Sequence, residues 1–276
     1  AKLPEKEFSN DKVKDCVNLA IVGMPNVGKS SLMNGLLQEE KSIVTPLAGT
    51  TRDSIDSFLR YHKKDIRLID TAGLRKKSKI KGDIEFYSTV RTFRVIQECD
   101  IAAVLIDADK GFNNQDKDII RHVIDSGKGL IIVVNKWDLL KKDTHTQKEY
   151  RQDIIDQYPV LDYYPILFIS VSHNLRIREI LKMTLAVFNE RQKKIKTADV
   201  NGFIKKAMSY HSPPVIKGKN ITIKYGAQVF HSPPIFAFFT NQPSAIPVQY
   251  KRYLENSLRD HFGFEGVPIK ISFREK

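Results

Sequence analysis

The chain has 276 residues, 41% of them hydrophobic and 28% charged, with a formal net charge of +13. That length fits one large domain or two smaller ones, and the composition is that of a soluble globular protein, which excludes fibrous and disordered classes. No apolar run approaches the roughly 18 residues of a membrane span, and Cys16 and Cys99 are too few for a disulfide framework or a metal site, which fits a reduced, cytoplasmic setting without membrane partners.

Residues 1–15 are charged, contain proline and lack periodicity, so they read as a linker and not as a secretory leader. The first residue is Ala, which fits a fragment or a processed chain. An apolar, β-branched strand is expected over 17–22, with a helix beginning at Ser31. A polar connection, 38–56, contains Gly49-Thr50-Thr51-Arg52-Asp53, and strands follow near 55–61 and at 66–69. After a basic stretch at 75–81, a helix is expected over 84–98 and a buried strand over 101–106, with Asp107 at its carboxyl end. Ile119, Ile120, Val123 and Ile124 have helical spacing within 114–126. Strands at 130–134 and 166–169 and a helix at 177–192 complete an alternating pattern. Such alternation implies parallel crossovers and a sheet covered by helices on both faces. After residue 195 the rhythm changes to helix 198–208, strands 221–229 and 235–239, helix 247–262 and strand 269–273, the pattern of a small α+β domain.

Between the first strand and its helix stands Gly23-Met24-Pro25-Asn26-Val27-Gly28-Lys29-Ser30, which fits G-x-x-x-x-G-K-[ST]. In a strand–loop–helix setting the loop N–H groups and the helix N-terminus, reached also by Ser31, can surround phosphates. Lys29 can reach the β- and γ-phosphates, and the Ser30 hydroxyl can bind Mg²⁺. Asp70, at the end of a strand, suits the same ion. It begins Asp70-Thr71-Ala72-Gly73, in which the side-chain-free Gly73 lets its N–H approach a γ-phosphate. Asn135-Lys136-Trp137-Asp138 also follows a strand. A carboxylate at Asp138 can accept both guanine N1–H and the exocyclic amine, a donor pair adenine lacks, so GTP and GDP are favoured over ATP. The Lys136 stem can cover the base and brace the phosphate loop. Ser170-Val171-Ser172 is positioned to close over the guanine oxygen. Asp138 alone, and the serines alone, also fit helix caps. Because every cluster follows an apolar strand, all four converge on the ligand-binding edge of an open α/β sheet.

These motifs resemble the translation-factor-related (TRAFAC) GTPases of the Era-like branch, through Asn26, Gly49 to Asp53, and Asp70 to Leu74. The chain from about residue 17 is most similar to the second GTPase domain plus the KH-like domain of the Der (EngA) family of bacterial GTPases with two tandem G domains. Arg75-Lys76-Lys77, Glu85-Phe86-Tyr87-Ser88, Tyr250 to Asn256 and Gly266-Val267-Pro268-Ile269 carry that closer likeness. The resemblance implies an α/β P-loop GTPase domain over 16–195 and an α+β KH-like domain over 196–276. It implies a preceding first G domain in a longer protein, with 1–15 as the linker remnant. Val171 stands where the family usually has Ala, and Met24 where Arg is frequent. Leu74 cannot orient the attacking water. The resemblance implies a K⁺ ion instead, held partly by Asn26, with Thr51 as the residue that closes on Mg²⁺ and γ-phosphate and Thr50 as the alternative. Lys29, Thr51, Gly73 and Asn26 are then the catalytic set.

Residues 196–276 hold 12 Lys/Arg against 5 Asp/Glu, a polyanion-binding balance. Lys251, Arg252 and Arg259 are the candidates for RNA phosphate contacts, whereas Tyr250, Tyr253 and Leu254 fit a helix core. Charge and resemblance together imply a monomeric GTPase switch acting on ribosomal RNA in the large (50S) subunit or its precursor. Two alternatives remain: a KH-like domain that chiefly docks G domains, and a GTPase partner of an RNA-modification enzyme.

Overall fold

A computed structural model describes residues 16–39, 56–69, 92–141, 143–216 and 219–275. The first module is built on a six-stranded sheet of order β2-β3-β1-β4-β5-β6. Its strands are β1 (Val17–Gly23), β2 (Ser57–Tyr61), β3 (Lys64–Leu68), β4 (Ile101–Asp107), β5 (Gly129–Asn135) and β6 (Ile166–Phe168). All neighbours pair in parallel except β2 and β3, which are antiparallel. The exception has a local cause. Only His62 and Lys63 join these strands, both at positive φ (45° and 65°), and a two-residue turn of that kind makes a hairpin, not a crossover.

Apart from Asn18, Asp107 and Asn135, β1, β4 and β5 are apolar, because both faces are covered. Leu19, Ile21, Ala103, Leu105, Ile131 and Val133 face α1 (Lys29–Glu39) and α4 (Ile177–Arg191). Ala20, Val22, Ala102, Val104, Ile132 and Val134 pack with Ile96 of the helical residues 92–98, Ile120 and Val123 of α2 (Asn114–Asp125), and Ile154 of α3 (Thr146–Gln157). Sequence patterning does not reveal α3. Of its 12 residues only Ile154 is buried, so no apolar stripe marks it. The part of the expected 84–98 helix before residue 92 lies outside the described residues.

The second module contains α5 (Thr197–Tyr210), a short β7–β8 hairpin (Val215–Ile216 and Lys219–Asn220), β9 (Ile223–His231), β10 (Pro234–Thr240), α6 (Val248–Phe262) and β11 (Lys270–Glu275). β10 is central, antiparallel to β9 and parallel to β11. Its Phe236 and Phe238 are fully buried in a core with Phe203 and Ile204 of α5 and Tyr250, Leu254 and Leu258 of α6.

This module caps the sheet edge at which the parallel strands begin. The Leu130 amide, early in β5, donates to the Gly266 carbonyl at 2.8 Å, and the Gly266 amide donates to Tyr163 at 2.9 Å. The Glu190 carboxylate, at the end of α4, accepts from the Phe264 amide at 2.7 Å. Arg259 is only 5% exposed. It donates to the Phe264 carbonyl at 3.1 Å, pairs with Glu255 at 3.7 Å and lies 4.8 Å over the Tyr163 ring. The expectation that Arg259 touches RNA is therefore corrected: its guanidinium is consumed inside the seam between the modules. Lys251 and Arg252 are exposed, and Tyr250 and Leu254 are core residues.

Candidate functional site

The opposite edge, at the carboxyl ends of β1, β4, β5 and β6, brings the sequence motifs together. Adjacent strands present the phosphate loop, then Asp107, then Asn135–Asp138, then Ser170–Ser172.

Two glycines of the loop are fixed by space as well as by backbone. Gly23 has φ +140°, and a Cβ there would stand 2.4 Å from the Leu105 carbonyl oxygen on the neighbouring strand. Gly28 has φ +101°, and its Cβ would stand 2.4 Å from the side-chain amide nitrogen of Asn135. Either substitution collides with the sheet edge itself. Asn26, exposed at the tip, also has positive φ (66°), a conformation Asn adopts more readily than other side chains. Its identity thus has a backbone reason besides any role toward a cation. α1 begins at Lys29, and the Leu32 amide donates to Gly28 at 2.9 Å. The Lys29 ammonium donates back to the Gly23 and Met24 carbonyls at 2.8 and 2.6 Å, which holds positive charge across the loop. Met24, Pro25 and Ser30 are half-buried in this turn, Val27 is buried, and Ser31 is exposed.

Asn135 joins the two halves of the site. Its amide group donates to the Val27 carbonyl at 2.8 Å and accepts from the Val171 amide at 3.2 Å, so it couples the phosphate loop to the Ser170–Ser172 loop. Bracing of the loop, expected of Lys136, falls to this neighbour. Lys136 has a left-handed backbone (φ 62°), and its ammonium reaches Asp107 at 2.6 Å. Trp137 is buried against Tyr150 and Phe168 and anchors the motif below. Asp138 is left at the surface of the crevice, accepting from the buried Ser170 hydroxyl. That hydrogen bond is the main reason its carboxyl sits below the usual range, and it keeps the acceptor anionic.

Thr50, Thr51, Asp70, Thr71, Ala72, Gly73 and Leu74 lie outside the described residues, so the switch and third-motif expectations are not placed here. Sequence reasoning missed two residues beside the site. Asp107 reads in the sequence only as a strand end, although its register opposite Asn135 follows from two adjacent parallel strands. His173 lies 3.5 Å from the Asp138 carboxylate and 3.2 Å from the Ser170 hydroxyl, and no spacing rule singles it out.

The donor set fits a nucleoside phosphate. A cradle with no room for side chains meets a fixed lysine and a helix N-terminus, and an anionic carboxylate stands on the adjoining loop. Among the described residues no group of three or more His, Cys, Asp or Glu could hold a metal ion. A Mg²⁺ bound here fits the Ser30 hydroxyl together with phosphate oxygens, the ligand type that small hard cation takes.

Fold and crevice together define a P-loop nucleotide-binding domain followed by a small α+β module. Residues 18–136 match a family described as "50S ribosome-binding GTPase", and residues 194–274 match the "KH-domain-like of EngA bacterial GTPase enzymes, C-terminal". GTPase Der of Amoebophilus asiaticus is 46% identical over 262 residues, 95% of this chain and 60% of that protein. GTPase Der of Halothermothrix orenii is 44% identical over 99% of this chain and 62% of its own length. GTPase Der of Chlorobium phaeobacteroides is 44% identical over 100% and 63%. The chain belongs to the GTPase Der family, and it spans about 60% of the length of these relatives.

Proposed function

We propose that this chain binds and slowly hydrolyses GTP, and that its nucleotide state controls attachment to the 50S subunit or its precursor through ribosomal RNA. Residues 16–195 form the GTPase module, 196–276 the KH-like module, and 1–15 the end of a linker from a first G domain. The observation that supports this most is the Asn135 bridge, which ties the phosphate loop at Val27 to the loop at Val171, next to the Ser170 hydroxyl that holds the Asp138 carboxylate.

In this reading residues 23–31 wrap the phosphates. Asp138 reads the guanine edge, Lys136 lies along the base, and Ser170–Ser172 cover its oxygen. A water oxygen attacks the γ-phosphorus, the bond from that phosphorus to the β–γ bridging oxygen breaks, and GDP and phosphate leave. Lys29 and the loop N–H groups oppose the charge that develops. Ser30, with Thr51 and Asp70, would hold Mg²⁺, which would supply charge neutralisation at the β- and γ-phosphates. The family resemblance implies that Gly73 would serve the γ-phosphate and that Asn26 would help hold a K⁺ ion.

Phosphate release is expected to be faster in K⁺ than in Na⁺. Asn26→Gly, which keeps the positive-φ backbone, is expected to erase the difference. Equal rates in both salts for the unaltered chain overturn the potassium assignment. Co-sedimentation with 50S subunits is expected to differ between a GTP analogue and GDP. Charge reversal at Lys251 and Arg252 is expected to lower both the binding and its salt dependence. A second reading, the KH-like module as a docking platform for G domains, is favoured by the burial of Arg259 in the seam. It predicts that the charge reversal leaves ribosome binding unchanged.

A further inference from the structure

Asp107 ends β4, whose other residues are all apolar, is 4% exposed, and lies outside every nucleotide motif. A buried carboxylate is retained only when its charge is answered. One oxygen takes the Lys136 ammonium at 2.6 Å and the other takes the Asp109 amide at 3.2 Å. The next amide, of Ala108, donates to the Asn135 carbonyl at 2.9 Å, and the Tyr150 hydroxyl donates to the Ala108 carbonyl at 3.3 Å. The end of β4 therefore grips both Asn135 and Lys136, through the backbone at one and through charge at the other.

The consequence concerns the lysine stem. A free lysine loses rotamer freedom when it is fixed. Here the ammonium is tied down by a side chain of the protein itself, and the left-handed backbone at 136 sets where the stem begins. We infer that Asp107 is a positioning residue for guanine binding: by holding the Lys136 ammonium it sets the lysine stem in place as a ready-made surface for the base. This rests on the guanine site proposed above. A surface ordered in advance lowers the cost of binding without touching the phosphates or the reacting atoms. Asp107 is thus expected to act on affinity and leave turnover alone.

The test measures fluorescent GDP affinity, GTP KM and kcat, and the preference for GDP over IDP. Asp107→Asn is expected to weaken GDP and GTP about tenfold, equivalent to about 1.4 kcal/mol, and to raise KM equally at unchanged kcat. The preference for GDP over IDP is expected to stay as in the unaltered chain, because the exocyclic amine is read by Asp138. Lys136→Gln is expected to make Asp107 silent, so D107N/K136Q binds GDP like K136Q. K136Q alone leaves the Asp107 carboxylate without its cation, whereas D107N/K136Q leaves no unpaired buried charge, so the pair reads the affinity effect without D107N alone, which need not be stable enough to assay. Unchanged affinity in D107N overturns the inference, as does a further tenfold loss from K136Q to the double variant. An unaltered chain that binds GDP well alongside either of those results leaves the nucleotide assignment standing. An unaltered chain with no preference for GDP over ADP overturns both.

Discussion

Gly28→Ala is the sharpest single perturbation of the site, because one methyl group meets two constraints at once. The backbone there has φ +101°, where a side chain costs about 1–2 kcal/mol. The new Cβ also falls 2.4 Å from the Asn135 amide nitrogen, which has to move. Moving it breaks or bends two hydrogen bonds, to Val27 at 2.8 Å and from Val171 at 3.2 Å, each contributing about 1 kcal/mol. The total is about 3–4 kcal/mol, shared between folding and nucleotide binding. Urea unfolding reads the first share and fluorescent GDP titration the second. Asn135→Ala removes the obstructing group, so G28A/N135A is expected to lose less than the sum of the single losses. Wild-type stability together with wild-type GDP affinity in G28A refutes the reasoning. Strict additivity in the double variant refutes the claim that Asn135 is what the methyl group strikes.

Two other substitutions probe groups away from the crevice. Asp116 is 1% exposed, one of its oxygens has no partner, and burial, with the Asp107 charge adding to it, pushes its carboxyl up from 3.8 to about 6. A carboxyl whose folded value is raised binds more protons folded than unfolded, so its contribution falls as pH rises from about 4 to 6 and stays low above that. Asp116→Asn keeps an acceptor for the Asn113 amide and removes the buried charge. It is expected to flatten stability against pH across that window, by up to about 3 kcal/mol, in urea melts at pH 4.5 and 7.5. An unchanged slope overturns the assignment. Arg259→Met keeps the bulk in the seam but strips the Phe264 carbonyl of its donor and leaves Glu255, 36% exposed, without its cation. A loss of about 2 kcal/mol is expected, below the full penalty for breaking a buried pair because the carboxylate reaches water. The salt dependence of RNA binding is expected not to change, and a slope reduced as by K251E/R252E overturns the structural role.

Much of the site is legible in the sequence because its motifs are contiguous and each follows an apolar strand. The run from Gly23 to Ser30 needs no partner to declare a phosphate cradle, and Asn135 to Asp138 carries a base-reading carboxylate within four residues. The helix at α3 stayed hidden because it buries one residue, and the β2–β3 hairpin departs from the parallel pattern because two residues cannot cross a sheet.

What tertiary structure alone decided is which side chains answer one another across long separations. Asn135 reaches Val27 across 108 positions and Lys136 reaches Asp107 across 29. Neither pairing is written in local spacing; each exists because parallel strand order puts separate loops on one edge. Arg259 makes the same point from the other side. Its charge reads as a surface feature in a basic helix, yet a seam between modules, invisible to helical periodicity, takes the guanidinium inside. The sequence by itself determined the chemistry available at each strand end. Packing determined which of those groups are held, which are presented and which are used up.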